Sequence, residues 1–318
     1  MTPEAPFPGR PPFPEGICTV DDTVAEGLAD RQPVLLNLLD GFVDAGQVTR
    51  TIAEAILADC EHRELAVFDH DQFHDYRSRR PLITFDTNRF TELADVRVVL
   101  HRVTDPRGED FLLLEGPEPD TRWELVLGAL EDLIDRFDVR LTVAAHGVPM
   151  AVPHTRPVTM TVHGTDPALI NGQRSWIDRV EVPASFSSVL EYRLGRKDRA
   201  AHGFAVHVPH YIAQSRFPSA AIAAMESVEQ LTGLSMPIAE LQPAMASTLT
   251  EIENEAGQSE EVQHVVAQLE EQYDAFMSRA DEDLPSADEI GAEFERFLRD
   301  HGPDLGRGDD HGPGDSPF

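Results

Sequence analysis

The sequence has very little lysine or cysteine, and it has no long hydrophobic run. Lys197 is the single lysine, so arginine supplies almost all of the positive charge. The two cysteines, Cys18 and Cys60, have neither metal-ligand nor redox spacing, which argues against a disulfide framework. No apolar run approaches the roughly 20 residues that span a bilayer, and the N-terminus has no apolar signal segment. We therefore expect a cytoplasmic protein without a membrane partner.

Positive charge is scarce as well. The 318 residues include 57 acidic and 26 basic side chains, a formal net charge of −31. A charge of this size repels nucleic acid and anionic membranes, so we expect no nucleic-acid partner. The acidity is concentrated at the end of the chain, because residues 251–318 hold 20 acidic and 4 basic residues, a net of −16.

Strand and helix patterns alternate along most of the chain. The continuous apolar run PVLLNLLD is typical of a buried parallel strand, and the run from Trp123 to Phe137 has the periodicity of an amphipathic helix. This alternation predicts a three-layer α/β fold with a mostly parallel sheet and a C-terminal helical extension. The predicted segments are a proline-rich arm and lead-in (1–32), an α/β core domain (33–236), C-terminal helices (237–300) and a disordered acidic tail (301–318).

The loop after the first predicted strand, DGFVDAG, is a candidate ligand site. It places Asp40, Asp44 and Gly46 between a strand and a helix, and ligands of open α/β sheets bind at the carboxyl ends of strands. The N–H groups of a helix start favour anions, although the two carboxylates would repel a phosphate. The alternative is a tight turn in which Asp44 caps the helix.

The motif HDYRSRRP gathers three arginines, Arg77, Arg79 and Arg80, in an acidic chain. One interpretation is a set of salt bridges within or between subunits, and the other is an anion pocket, since arginine binds carboxylate and phosphate in a bidentate manner. Pro81 disfavours helical geometry at Arg80, which predicts an extended segment with Arg77 and Arg79 on one side and Arg80 on the other. We expect at least one of the three to pair with a carboxylate.

Histidines recur in two further motifs, HGVPMAVPHTRP and HVPHY. His154, Arg156 and His210 are the candidate ligand or interface residues here, and they could act in acid–base chemistry, metal binding or structural hydrogen bonding. No metal signature and no nucleophile elbow is present in the sequence, so we assign no catalytic residue, metal or cofactor.

Four motifs in order, LLDGFVDAG, FDHDQFHDYRSRRP, HGVPMAVPHTRP and FAVHVPHY, resemble the bacterial branch of the proteasome assembly chaperone 2 family, especially its actinobacterial members. The resemblance covers about residues 33–234 and extends more weakly to about residue 277. It implies a fold similar to nucleoside phosphorylases and hydrolases, and a self-associating protein, with a trimer as the expected form. Eukaryotic and archaeal relatives assist assembly of proteasome α-rings, which implies a protein client such as proteasome subunits.

The resemblance leads to one main hypothesis and two alternatives. The main hypothesis is a non-catalytic, chaperone-like module that binds protein and itself. The first alternative is a small-molecule or anion-binding protein, or a hydrolase- or phosphorylase-like enzyme, that uses the arginine motif and the first loop. The second is a purely structural oligomer. A chaperone-like module predicts exposed apolar surface, whereas an enzyme predicts a concave pocket with convergent polar groups.

Overall fold

The computed structural model describes residues 16–94, 96–170 and 179–282. The strands are β1 (Cys18–Val20), β2 (Val34–Asp40), β3 (Glu61–Phe68), β4 (Ile83–Asp86), β5 (Arg89–Leu93), β6 (Val98–Thr104), β7 (Asp110–Pro117), β8 (Leu141–Met150), β9 (Met160–Gly164) and β10 (Ala201–Pro209). The helices are α1 (Asp22–Ala25), α2 (Val48–Asp59), α3 (Trp123–Arg136), α4 (Phe186–Gly195), α5 (Pro218–Thr232), α6 (Gln242–Gly257) and α7 (Glu260–Glu282). Residues 1–15 of the predicted proline-rich arm, the predicted C-terminal helices beyond residue 282 and the predicted acidic tail lie outside the described residues.

Eight strands form the main sheet, in the order β1-β3-β6-β7-β2-β8-β10-β9. The pairs β7–β2, β2–β8 and β8–β10 are parallel, and the outer pairs are antiparallel. Five strands, β3, β7, β2, β8 and β10, therefore run in one direction. This confirms the predicted α/β fold with a mostly parallel sheet.

Helices cover both faces of the sheet, which gives the three layers. On one face α2 and α5 pack over β2, β8 and β10 around Val48, Ile52 and Met225. On the other face α1, α3 and α4 pack around Leu127, Phe186 and other apolar residues. Strand β2 is buried along nearly its whole length, because it lies at the centre of the sheet with helices on both sides.

The segment before residue 33 also contributes to the core. Ile17, Val24 and Leu28 are buried in the same cluster as α3 and α4. Asp21 caps α1 by accepting a hydrogen bond from Thr23 N at 2.8 Å.

Helix α6 packs on the α2–α5 face. Leu249 and Ile252 contact the apolar cluster there, as do Ile238 and Leu241 just before the helix. Contacts divide the chain into two compact units, Met1–Glu271 and Gln272–Phe318. Within the described part of the chain, no helix combines the length and apolar character needed to cross a membrane.

Strands β4 and β5 form a separate two-stranded sheet, the hairpin. The sequence predicts a strand at LITFD but does not separate it from the main sheet. Helix α4 is not predicted at all, since its amphipathic pattern is weak. Ser185 starts that helix in a capping box with Ser188.

Candidate functional site

The four motifs that suggested a family meet at one edge of the sheet. Strands β2, β3, β8 and β10 run in the same direction and end there, as does β7. We call the loops that follow these strands the loop edge, comprising residues 41–47, 69–82, 118–122, 151–159 and 210–217. The carboxyl ends of parallel strands are the usual position of binding sites in such folds.

Asp44 lies in the first loop, and its carboxylate is hydrogen-bonded to α2 and β8. Its carboxylate accepts hydrogen bonds from Thr49 N at 3.0 Å, Thr49 Oγ1 at 3.0 Å and Gly147 N at 3.1 Å. The carboxylate thus satisfies a backbone donor in the first turn of α2 and ties that turn to β8. This arrangement corresponds to the capping interpretation of the loop rather than to an anion site.

Gly46 joins the first loop to the loop after β10. Its N–H donates to Ala213 O at 2.8 Å, and its carbonyl accepts from Phe217 N at 2.9 Å. Its φ is +69°, and a Cβ there would lie 3.1 Å from Phe217 Cβ. A glycine is therefore needed on both conformational and steric grounds.

Glu118 connects the loop after β7 to the first loop, the end of β2 and the start of α4, and sequence reasoning did not single it out. Its carboxylate accepts from Phe42 N and from Phe186 N, the first residue of α4, each at 3.1 Å. Its backbone N–H donates to Asp40 O at 3.0 Å. A carboxylate at a helix N-terminus is stabilised by the helix dipole. The only sequence signal is an acidic residue in a turn directly after a strand.

Arg79 fastens the arginine motif to the same turn. Its Nη2 lies 2.7 Å from Asp120 Oδ1 and also donates to the Glu118 carbonyl. Asp120 Oδ2 accepts from Asp75 N at 2.7 Å, and His74 Nε2 lies 2.8 Å from Arg79 O. The prediction that at least one arginine pairs with a carboxylate is confirmed by Arg79.

The predicted extended geometry of this motif is wrong. Asp75 O accepts from both Ser78 N and Arg79 N at 2.9 Å, so the chain turns here. Asp75 Oδ1 also accepts from Arg77 N at 3.0 Å, which stabilises the turn and lowers the pKa of Asp75. The preference imposed by Pro81 acts only on Arg80 and does not extend back to Arg77.

The other two arginines point away from any built site. Arg77 is 92% exposed and lies 3.6 Å from Asp75 Oδ1. Arg80 is exposed and has no ion-pair partner within the described residues. Arg79 therefore holds the root of the hairpin that begins at Ile83, and the three arginines do not converge on one anion.

The hairpin presents an apolar face to solvent. Ile83 pairs with Leu93, and Phe85 pairs with Phe90, with ring centroids 5.1 Å apart. Directly opposed residues of two strands lie on the same face. Phe85 is 60% and Phe90 66% exposed, and Ile83, Leu93 and the adjoining Leu82 are each at least half exposed. We call the side chains of Ile83, Phe85, Phe90 and Leu93 the hairpin face.

The histidine candidates lie elsewhere on the loop edge. His154 is buried, and its Nδ1 lies 2.6 Å from Tyr211 Oη. Burial lowers the pKa of His154, which keeps the ring neutral near pH 7. Arg156 Nη1 pairs with Glu270 Oε1 at 3.2 Å, whereas His210 is exposed. These residues do not meet the arginine motif in the described contacts.

A small open cavity lies beside the end of β2. Its volume is about 260 Å³, and its lining includes Asp40, Arg50, Arg97 and Glu115. Burial raises the pKa of Asp40, and the nearby Asp44 charge adds to this effect. The cavity is smaller than typical ligand pockets of roughly 300–1,000 Å³, and it carries both signs of charge.

Metal ligation was one of the possible roles of the histidines. Among the described residues, no group of three or more His, Cys, Asp or Glu side chains is placed to hold a metal ion. The loop edge is therefore best described as a hydrogen-bonded frame that carries an exposed apolar hairpin.

The two ion pairs of the arginine motif should respond differently to truncation. Arg79→Ala leaves Asp120 short of its main partner, and we expect a loss of about 1–3 kcal/mol in the free energy of unfolding. Trypsin should then cut faster after Arg89 in the hairpin, because the hairpin root is loosened. Arg77→Ala is the matched control and should change neither quantity. Urea unfolding and timed digestion measure both, and equal behaviour of the two variants would contradict the fastening role.

One family model and several solved structures match this chain. The sequence profile of the PAC2 family matches residues 38–256. A Mycobacterium tuberculosis protein of unknown function, Rv2714, is similar in structure with a TM-score of 0.79 and 41% identity, over 84% of this chain and 94% of that chain. A Corynebacterium glutamicum protein of unknown function has a TM-score of 0.78 and 34% identity, over 83% and 98%.

A more distant similarity concerns the fold alone. The M. tuberculosis proteasome-assembly chaperone homologue Rv2125 has a TM-score of 0.66 and 24% identity, over 73% of this chain and 99% of that chain. No curated protein matches the sequence.

Proposed function

Because the chain belongs to the PAC2 family, we propose that it is a chaperone-like, non-catalytic module that binds protein and associates with itself. The observation that carries this proposal is the exposed hairpin face. Four large apolar side chains lie together on one face of a two-stranded sheet that has no second layer within the described residues. Contiguous exposed apolar surface of this kind marks a protein interaction site.

The energetics of the hairpin favour a covered state. An isolated two-stranded hairpin is only marginally stable in water. Full burial of a Phe or Leu side chain is worth about 1.5–3 kcal/mol relative to exposure. Burying Phe85, Phe90 and Leu93 against another chain would therefore stabilise both the contact and the hairpin. We propose that a second copy of the chain covers this surface first, and we expect the resulting assembly to be a trimer.

The proposed client is a proteasome subunit. The support is the similar fold of Rv2125, a proteasome-assembly chaperone homologue of M. tuberculosis, together with this chain's membership of the PAC2 family. We also propose a cytoplasmic location, for which the two free cysteines, Cys18 and Cys60, are the support.

The alternative of an anion site built from the first loop and the arginine motif finds less support. Asp44 is occupied by three hydrogen-bond donors, and Arg79 by Asp120. Neither group is directed at a common space with Arg77 or Arg80.

Co-expression with the proteasome α- and β-subunits of the same organism tests the client. We expect a complex with α-subunits in native mass spectrometry and faster formation of α-rings in its presence. A chain bearing Phe85→Ser and Phe90→Ser shows whether the hairpin face that is proposed for self-association also binds the client. If neither subunit forms a complex and ring formation keeps its rate, the client proposal is wrong.

A further inference from the structure

The cavity beside the end of β2, which we call the β2 cavity, lies between helix α2 and the sheet. Its floor comes from β2 and β7, and includes Leu38, Asp40 and Glu115. Leu38 pairs with Glu115 across the two parallel strands. Residues two apart on a strand share a face, so Asp40 lies on the same side of the sheet as Leu38.

Two further segments wall the β2 cavity. Helix α2 contributes Arg50, Ala53, Glu54 and Leu57, and this spacing of three, four and seven residues places them on one stripe of the helix. The other wall is the segment before β6, which contributes Val96 and Arg97. A Cβ at Gly116 would lie 2.3 Å from Arg97 O, so the glycine allows this segment to approach the end of β7 closely.

Asp40 brings an unpaired carboxylate into the β2 cavity. The residue is only partly exposed, and its carboxylate makes no hydrogen bond and no ion pair with the described residues. Burial raises the pKa of Asp40, and the Asp44 charge adds to this effect, against the influence of Arg50 and Arg79. A partly desolvated charge without a partner costs free energy, and a bound cation would offset that cost.

The positive groups of the β2 cavity already have carboxylate neighbours. Arg97 Nη1 lies 2.9 Å from Glu64 Oε1, and Arg50 Nε lies 4.0 Å from Glu54 Oε1. Both arginines are on the exposed side of the cavity, with side chains 43% and 57% exposed. The charge that lacks a partner in the cavity is therefore the negative charge of Asp40.

The volume of the β2 cavity sets the size of a ligand. The cavity measures about 260 Å³. An apolar cavity of about 150 Å³ binds benzene, and the same ratio gives room for about ten non-hydrogen atoms here. Leu38, Ala53, Leu57 and Val96 supply apolar lining, which suits a short aliphatic chain.

We propose that the β2 cavity binds a primary alkylammonium ion. The ammonium group donates to the Asp40 carboxylate, and the Glu115 carboxylate on the neighbouring strand adds to the attraction. The aliphatic chain packs against Leu38, Ala53 and Leu57. This assignment goes beyond the proposed protein-binding function and uses none of the residues of the hairpin face.

The charges of the β2 cavity select against other ligands of this size. An anion would meet the carboxylates of Asp40 and Glu115. A neutral molecule would leave Asp40 without a partner. A zwitterion would need a guanidinium for its carboxylate, and Arg50 and Arg97 would have to leave Glu54 and Glu64 to supply one.

Three ligands with one chain and different charge test the proposal: n-hexylamine, 1-hexanol and hexanoate. The full chain is labelled at its Leu and Val methyl groups, and the resonances of Leu57 and Val96 are assigned with Leu57→Ile and Val96→Ile. We expect hexylamine to shift both along one binding curve at physiological salt, which screens unspecific attraction to the acidic surface. The exposed Val262 on α7 should stay unchanged. Hexanol and hexanoate should bind at least tenfold more weakly.

Asp40→Asn removes the unpaired charge at nearly constant volume. We expect it to weaken hexylamine binding at least tenfold and to keep or raise the melting temperature. Asp59→Asn is the matched control, because it removes the same charge from an exposed position at the end of α2 and should leave the affinity unchanged. If Asp40→Asn does not fold, Glu115→Gln takes its place, with a several-fold loss expected.

Arg50→Gln distinguishes a cation from a zwitterion. We expect equal or tighter binding of hexylamine, since a nearby positive charge is removed, whereas a ligand held by Arg50 would bind more weakly. A weaker hexylamine complex in this variant would overturn the proposal. So would equal or tighter binding of hexanol or hexanoate, no methyl shift with millimolar hexylamine, or an unchanged affinity in the carboxylate variant that is tested.

Discussion

Replacing both aromatic residues of the hairpin should convert the protein from an oligomer to a monomer. In Phe85→Ser/Phe90→Ser, two rings that are 60% and 66% exposed in the single chain are lost from the hairpin face. If another copy buries the exposed part of both rings, roughly two thirds of each, their removal takes away about 2–4 kcal/mol per hairpin. A loss of this size raises a dissociation constant by about one to three powers of ten. Sedimentation at micromolar concentration should then show a 35.2 kDa species.

The opposite face of the same hairpin supplies the control. Thr84 pairs with Glu92 across the two strands. Thr84→Ser/Glu92→Ser changes the same strands with the same replacement residue, and we expect the assembly to persist. A wild-type protein that sediments as a monomer would rule out self-association. Persistence of the oligomer in the aromatic variant would place the interface elsewhere.

Arg193→Met should destabilise the fold by about 3–5 kcal/mol, since it leaves a buried carboxylate short of its main partner. The Glu131 side chain is 1% exposed, and Arg193 binds it through two bonds, Nε–Oε1 at 2.6 Å and Nη2–Oε2 at 3.2 Å. Lys197 Nζ, at 2.7 Å from Oε2, is the remaining cation. This cluster joins α3 to α4.

A matched variant distinguishes the loss of a buried ion pair from the loss of an exposed one. Arg199 pairs with Asp135 at 2.7 Å between the same two parts of the chain, but both side chains are about a third exposed or more. Arg199→Met should therefore cost about 1 kcal/mol or less. Urea denaturation of the two variants against wild type gives both values, and similar losses would contradict a special role of the buried pair.

The effect of Arg193→Met should also depend on pH. Burial by itself would raise the pKa of Glu131, but hydrogen bonds from Arg193 and Lys197 outweigh it, and the pKa is lowered from 4.5. A carboxyl whose folded pKa is depressed contributes stability above its unfolded pKa and loses it as pH falls through the folded value. The difference between wild type and Arg193→Met should therefore be largest near pH 7 and shrink below pH 4.5.

The central strands and the main helices could be predicted from the sequence, because their patterns are local. Strand β2 appears as a continuous apolar run, and α3 as a stripe at helical spacing. The loop edge was also foreseeable in outline, since the motifs follow strands that point in one direction. The partner of Arg79 was foreseeable only as a carboxylate, because Asp120 follows a different strand, 41 positions later.

The hairpin shows the limit of a local pattern. Ile83 and Phe85 alternate with polar neighbours in LITFD, as in any half-buried strand. Whether such a strand joins the main sheet or stands apart depends on the segments beside it, here the turn at Asp75 and its bonds to Asp120. The same turn gives Arg77 to Arg79 a geometry that the proline after Arg80 does not predict.

The sequence by itself determined the fold class, the position of the buried strands and the family resemblance. Only the tertiary structure decided which side chains meet. Asn37, Ala144, Gly203 and His163 come from four different strands, and their common row follows from strand register. Periodicity within one strand defines which of its residues share a face, but carries no information on which residue of a distant strand lies opposite.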